Sequence, residues 1–223
     1  MSQLIPFEME VRVELVSDLH IAGVGRTAAL VDRCIELDAQ GRAYIPSTAF
    51  KGRVRAHYER LMHALGYDMK GCKPPAPQNM CHDPANLCPA CALFGAPVQQ
   101  SRVEFTHLTP VDEKAEPTTR IGVGVSRQLN TVEQGRLFFY EAAPSAHYKT
   151  FTGVVRGWAT ETELAHLIAA MRLITHFGGQ KARGLGRAQV QVQQVWLQQN
   201  GAWNAHNPQT LLQHLKEASH ETL

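Results

Sequence analysis

Two stretches of this chain carry residue types that do chemistry. Cys72, Cys81, Cys88 and Cys91 fall within twenty residues, the last two as Cys88-Pro89-Ala90-Cys91. A C-x-x-C pair presents two thiolates to one tetrahedral ion, and two more cysteines upstream complete a closed structural zinc site. Residues 72–100 are rich in proline and cysteine and read as an insertion outside the core. So short a segment cannot build a large core, so a metal would supply its folding energy. His82, beside Cys81, is the alternative fourth ligand. A redox C-x-x-C is the rival, but it calls for the motif at a helix start after a strand, without two extra cysteines. The fifth cysteine, Cys34, reads as a small buried residue.

The second stretch is Gly178-Gly179-Gln180-Lys181-Ala182-Arg183-Gly184-Leu185-Gly186-Arg187. Its four glycines let a backbone come close to something large, and Lys181, Arg183 and Arg187 make that something anionic. The run leaves a helix and enters a strand, the reverse of a dinucleotide-binding turn, and it lacks the P-loop spacing. A basic, glycine-rich turn of this kind suits a polyphosphate backbone lying across a sheet edge, which points to RNA. The plainer alternative is a helix C-cap with Gly178 in the left-handed conformation, which needs one glycine rather than four.

The elements that must position these groups are legible in the periodicity. Phe7 to Leu15 alternates apolar and polar, the pattern of a half-buried antiparallel strand. A loop of small residues over 20–30 precedes a short extended arm at Cys34–Leu37. Pro46-Ser47 predicts a helix start with Ser47 or Thr48 as N-cap. Its apolar face is Phe50, Val54, Tyr58, Leu61 and Leu65, with Lys51 and Arg55 on another face. Strands are expected at 103–111, 137–141 and 148–158, with a glycine-spaced arm at 120–135. Thr160 and Glu163 form a capping box for a helix that buries Leu164, Leu167, Ile168, Met171 and Ile174 and runs to Gly178. Residues 188–196 alternate as the last long strand, and a short helix begins near Pro208. The order strand, helix, strands, helix, strand predicts an α+β, ferredoxin-like (RRM-type) βαββαβ core with long excursions.

Composition sets limits on function. The 223 residues are 44% hydrophobic and 19% charged, as in a globular chain, and are read as one domain. Aromatics at 7% argue against a platform that binds bases mainly by stacking. A net charge of +2 is too small to carry a nucleic-acid argument, which must rest on local clusters. No stretch approaches a transmembrane span and Met1 to Pro6 is no signal peptide, so a cytoplasmic location is expected. There, cysteines are thiols or metal ligands rather than disulfides.

Several segments together resemble a known family. Leu19-His20-Ile21 followed by Tyr44-Ile45-Pro46-Ser47-Thr48-Ala49-Phe50-Lys51-Gly52-Arg53-Val54-Arg55 is similar to the "LHIGG … IPGSSLKGxLR" pattern of the RAMP superfamily. Cys91-Ala92-Leu93-Phe94-Gly95 continues the match, as do Ser126-Arg127-Gln128, Gly135-Arg136-Leu137-Phe138 and the 178–187 run. These are CRISPR effector proteins built on the ferredoxin-like fold. The likeness covers most of residues 7–196 and is closest to the repeated backbone subunit of type III effector complexes. The chain is read as one such domain over 1–223, with the zinc-binding insertion that the cysteine spacing predicts taken as 68–100. The likeness implies a β-hairpin thumb at about 112–136 that pushes between bases of the guide–target duplex.

The resemblance also implies roles. In that subunit the segment before the "IP" helix carries an aspartate that cleaves target RNA, in a pattern like D-x-P-V-x-R/K-D. Asp32-Arg33-Cys34-Ile35-Glu36-Leu37-Asp38 has the spacing, with Asp32 in the catalytic position and Cys34 in place of the proline. Asp38-Ala39-Gln40-Gly41 also reads as an ordinary turn. RNA brings its own 2′-hydroxyl nucleophile, so the protein must splay a nucleotide and place a carboxylate as base or as holder of Mg²⁺ or another divalent cation. His20 and Arg26 are candidate helpers at that site, although His20 reads better as a structural residue than as a catalytic one, and Arg127 on the thumb holds a phosphate. Lys51, Arg53 and Arg55 on the first helix track the guide, with Gly179, Lys181, Arg183, Gly184 and Arg187 on the other side. Gly122, Gly124 and Gly135 permit the bends of the thumb. The expected partners are guide RNA, target RNA, further copies of the chain in a filament and other type III subunits, with no membrane. Two alternatives stay open: a non-cleaving guide-binding or capping subunit, and a guide-processing endoribonuclease using His57.

Overall fold

The computed structural model describes residues 3–23, 26–111 and 115–213. Alternation along Ile5–Leu15 (β1) buries Phe7, Met9, Val11, Val13 and Leu15 and turns Glu8, Glu10, Arg12 and Glu14 to the opposite face. The helix Ser47–Ala64 (α1) leads towards two short strands, Val103–Phe105 (β2) and Thr109–Pro110 (β3). A six-residue helix, Pro89–Phe94 (α2), lies between them in the chain. Thr118–Val125 (β4) and Val132–Ala142 (β5) form a separate hairpin. Then come Thr150–Ala159 (β6), the helix Glu161–Arg172 (α3), Ala188–Gln199 (β7) and Ala202–His206 (β8).

The main sheet runs β2–β6–β1–β7–β8, with β3 beside β2 on β6. Every pairing between these strands is antiparallel, giving a mixed α+β chain. α1 and α3 pack on each other and on the apolar side of the sheet. β7 carries a bulge opposite Glu10–Val11. The extra residue shifts its phase, so Ala188, Val190 and Val192 are buried and then Val195 and Leu197. β8, a hairpin return through Asn200-Gly201, has no counterpart among the expected strands.

Three local expectations are corrected. The N-cap of α1 is Pro46, with no side-chain cap. The backbone N–H of Ser47 instead donates to Nδ1 of His107 at 2.9 Å, so a distant loop satisfies this orphan donor. The core stripe of α1 is Phe50, Val54, Tyr58 and Met62; Leu61 is half-buried and Leu65 is exposed. Finally, α3 keeps its capping box but ends at Arg172, well short of Gly178. Residues 175–177 leave the helix because they pair with the start of β7: Ala188 N donates to Thr175 O at 2.9 Å and Phe177 N to Gly186 O at 2.8 Å.

Residues 72–100 reach the core as well: Cys88, Ala90, Cys91, Leu93 and Phe94 are buried in the cluster that holds Tyr58 and Phe105. In the hairpin, Gly122 and Gly124 make room rather than bends. A Cβ on Gly122 would lie 2.3 Å from the Phe138 ring, and one on Gly124 would meet the Arg136 side chain. Residues 112–114, the expected start of the thumb, and residues 214–223 lie outside the described residues. Among the described residues no helix is long and apolar enough to cross a membrane.

Candidate nucleic-acid interface and metal centre

The four clustered cysteines converge. Their Sγ atoms all lie within 4.8 Å of one another. Cys88 caps α2, its Sγ accepting from Cys91 N at 3.4 Å, and Cys81 Sγ accepts from Cys88 N at 3.4 Å. Cys72 and Cys91 Sγ are 3.4 Å apart. His82 is exposed and is not one of the clustered donors. Burial pushes Cys72 up to about 11 and raises Cys88 further, because a desolvated thiolate is costly. Burial raises Cys91 too, but hydrogen bonds from the cluster and the Arg55 guanidinium outweigh it and leave this thiol below its usual value. Four soft donors this close can hold a metal ion such as zinc, whose charge favours the thiolates that burial alone disfavours.

The glycine-rich turn lies against residues 16–20. Gly179 N donates to His20 O at 2.8 Å, Gly186 N to Asp18 O at 2.8 Å and Arg187 N to Ser17 Oγ at 3.0 Å. Gly178 and Gly186 both have positive φ, and a Cβ on either would strike the chain's own carbonyls, His20 O at 2.1 Å and Phe177 O at 1.9 Å. The large object these two glycines admit is therefore the protein's own backbone. Gly184, also at positive φ, has open space around its Cα and closes the 3₁₀ turn Lys181–Arg183. The Arg183 guanidinium stacks 4.8 Å over the Phe138 ring, so the turn reaches the base of the hairpin.

Asp32 stands at that same base. Its Oδ2 accepts from Phe139 N at 2.7 Å and its own N–H donates to Phe139 O at 2.9 Å, leaving an exposed carboxylate one residue from Phe138. Behind it sits Glu141, which is buried and accepts from Ile35 N at 3.0 Å while pairing with the Arg26 guanidinium. His20, 2% exposed, directs Nδ1 to the Glu141 carbonyl at 2.6 Å; a carbonyl only accepts, so Nδ1 carries the proton. Burial, with Arg33 nearby, lowers the His20 pKa and keeps the ring neutral. His20 and Arg26 thus fasten the 20–38 loop, and with it Asp32, to β5.

The remaining predicted cations separate into groups. Arg53 faces the turn, where it, His57 and Arg60 of α1 lie within electrostatic reach of Lys181, and Arg53 and Lys181 also of His176. Burial lowers the Lys181 pKa first, and repulsion from Arg53 and Arg60 adds to it. Among the described residues, Arg53, Arg60, Lys181 and Arg187 have no acidic partner, an arrangement that attracts polyanions. Lys51 and Arg55 flank the other side of the α1 core stripe. Lys51 donates to Ser101 Oγ at 2.9 Å and Arg55 is held at the cysteine cluster. Arg127 is exposed in the hairpin turn, apart from both groups.

Sequence reasoning missed Glu141, Arg60, His176 and the ring of Phe138 as site residues. The signal for Glu141 was present: a lone acid in Leu137-Phe138-Phe139-Tyr140-Glu141-Ala142 needs a buried cation. No curated protein matches the chain. The family model described as the RAMP superfamily matches residues 12–189, which include Asp32, the cysteine cluster and the whole of the glycine-rich turn. The chain belongs to the RAMP superfamily of CRISPR-associated, RNA-binding proteins.

Proposed function

We propose that this chain is the guide-binding backbone subunit of a type III CRISPR effector complex and that it cleaves target RNA at Asp32. The observation that carries the reading is the placing of an exposed carboxylate beside the hairpin base and the glycine-rich turn. Loop 16–38, β5 and residues 178–187 all meet there. The strand order β2–β6–β1–β7, with α1 and α3 as the crossovers, supports a ferredoxin-like core. Guide phosphates lie along Arg53, Arg60, Lys181 and Arg187. The hairpin, with exposed Ile121, Val125, Leu129 and Val132, projects apolar side chains suited to parting stacked bases.

The chemistry asked of the protein is small. A splayed nucleotide places its 2′-oxygen in line with the adjacent phosphorus, and Asp32 takes the hydroxyl proton as that oxygen attacks and the 5′-oxygen leaves. Asp32 is also the carboxylate that would hold Mg²⁺ or another divalent cation, which neutralises phosphate charge when bound. Glu141 is not available for either role, since Arg26 and Ile35 N already occupy it. One observation favours a non-cleaving subunit instead: the Asp32 carboxylate also serves as acceptor for Phe139 N, a structural duty.

In the reconstituted complex, Asp32→Ala is expected to lower cleavage of complementary target RNA by about 10²–10⁴-fold with assembly and target binding retained. Cleavage by the variant at the wild-type rate would overturn the Asp32 assignment, and a wild-type complex that binds target RNA without cleaving it would establish the non-cleaving reading. Loss of precursor-RNA processing on His57→Ala, with target cleavage intact, would favour the guide-processing one.

A further inference from the structure

We propose that Arg55 is a positioning residue of the metal centre, neutralising its thiolates and tying it to α1. The proposal rests on the metal reading of the four cysteines. Four thiolates around a dication leave a net negative charge in a site where Cys88 and Cys91 are fully buried. Such a charge persists only where donors and cations face the sulfurs. The backbone supplies two of these donors, Cys88 N to Cys81 Sγ and Cys91 N to Cys88 Sγ. Cys91 has the Cys81 backbone beside it and, in addition, a side-chain cation: Arg55 Nη2 approaches its Sγ at 3.4 Å.

The rest of the guanidinium is fixed by the same corner of the molecule. Nη1 donates to Gly95 O at 3.0 Å and Nε to Glu59 Oε1 at 2.8 Å. Gly95 is the C-cap of α2 and Cys91 lies within that helix, so one planar fork grips both ends of its last turn. Arg102 does the complementary work from the other side, its Nε donating to Ala92 O at 2.8 Å while it pairs with Glu163 of α3. The cysteine-bearing helix is thereby clamped between α1 and α3. Only 14% of the Arg55 side chain is exposed, which leaves little of it for a phosphate. Arg53, two residues earlier, points away towards the glycine-rich turn, since positions i and i+2 do not share a helix face. α1 thus carries a metal-facing cation and an RNA-facing cation on opposite flanks of its core stripe.

The test uses purified full-length chain loaded with Zn²⁺, with metal release to a chromogenic chelator as the measurement. Arg55→Met is expected to release zinc about 10-fold faster than wild type and Arg55→Lys to fall between, since Lys keeps the charge but loses the fork. Arg53→Met is expected to release zinc at the wild-type rate. In Co²⁺-loaded protein the thiolate-to-metal charge-transfer band is expected to move to lower energy in Arg55→Lys, because a lost donor raises the sulfur lone pair. That shift keeps the proposal testable even where Arg55→Met fails to fold. Wild-type release and an unmoved band in both Arg55 variants would overturn the role of Arg55 while leaving the metal site standing. The same holds for an Arg55 variant that keeps its zinc but loses RNA affinity. A wild-type chain that takes up no Zn²⁺ or Co²⁺ would overturn the metal reading and this proposal together.

Discussion

The cysteine cluster and the basic glycine-rich turn are both built around charge, yet they are assembled in opposite ways. The cluster draws its four donors from twenty consecutive residues and needs one neighbour, Arg55, from outside them. The turn draws on the 16–20 segment, α1, β5 and residues 176–187, so its cations meet only after the sheet has formed. A metal can organise a local segment because binding free energy becomes folding free energy. Mutually repelling cations cannot organise themselves, so the fold must hold them in place until an anion relieves the repulsion. The cluster is accordingly sunk in the core, while Arg53, Arg60, Lys181 and Arg187 have no acidic partner among the described residues and stand beside a turn locked by glycines.

The largest effect separating these regions is expected at the metal site. Cys88→Ser removes a fully buried ligand that also caps α2, and should abolish zinc retention and cost more than about 4 kcal/mol of stability. Metal analysis and thermal melting measure both. Loss of zinc with an unchanged melting temperature would break the comparison, because the cluster would then stand on packing alone.

A smaller effect is expected at the turn. Lys181→Ala should weaken guide RNA binding by roughly 3–10-fold, lower the salt dependence by about one counterion and leave stability unchanged. The loss should be uniform across guide sequences, since phosphates carry no base information. Filter binding at several salt concentrations with two unrelated guides tests this, and a loss confined to one guide would contradict the phosphate assignment.

The smallest effect is in pH. His57 has its pKa lowered by burial and then by Arg60, Arg53 and Lys181; His176, by burial and then by Lys181, Arg187 and Arg53. His176 Nδ1 also contacts Thr175 Oγ1 at 2.9 Å. Both folded values lie below 6.5, so both rings are neutral at pH 7 in the free protein. A phosphate favours the protonated rings, so RNA binding takes up protons and strengthens as pH falls below about 6.5. The expected gain is about threefold between pH 7.5 and 6, reduced in His57→Gln. Affinity that stays flat over that range would place the phosphates away from α1.

How far the sequence carried the site follows from the same contrast. Local periodicities and short spacings were legible: the alternation of β1, the capping box of α3, the four cysteines and the basic glycine run all lie where read. The end of α3 was not legible, because residues 175–177 exchange helical hydrogen bonds for pairing with Gly186 and Ala188. Nor was the division of labour on α1. Lys51, Arg53 and Arg55 look alike in sequence, yet the neighbours that distinguish them come from Ser101, Lys181 and Cys91.

By itself, then, the sequence determined whatever backbone geometry and near-neighbour chemistry decide: which segments are strand or helix, which four thiols can share an ion, and which family the chain resembles. Tertiary structure alone decided what depends on groups distant along the chain. Asp32 meets Phe139 across 107 residues, Arg26 meets Glu141 across 115 and His20 reaches the Glu141 carbonyl across 121. It likewise decided that Gly178 and Gly186 accommodate the protein's own carbonyls. The reason is physical: a periodicity of two or 3.6 residues is written in every few positions. The partner of a buried charge is chosen only when the sheet order brings two remote segments into contact.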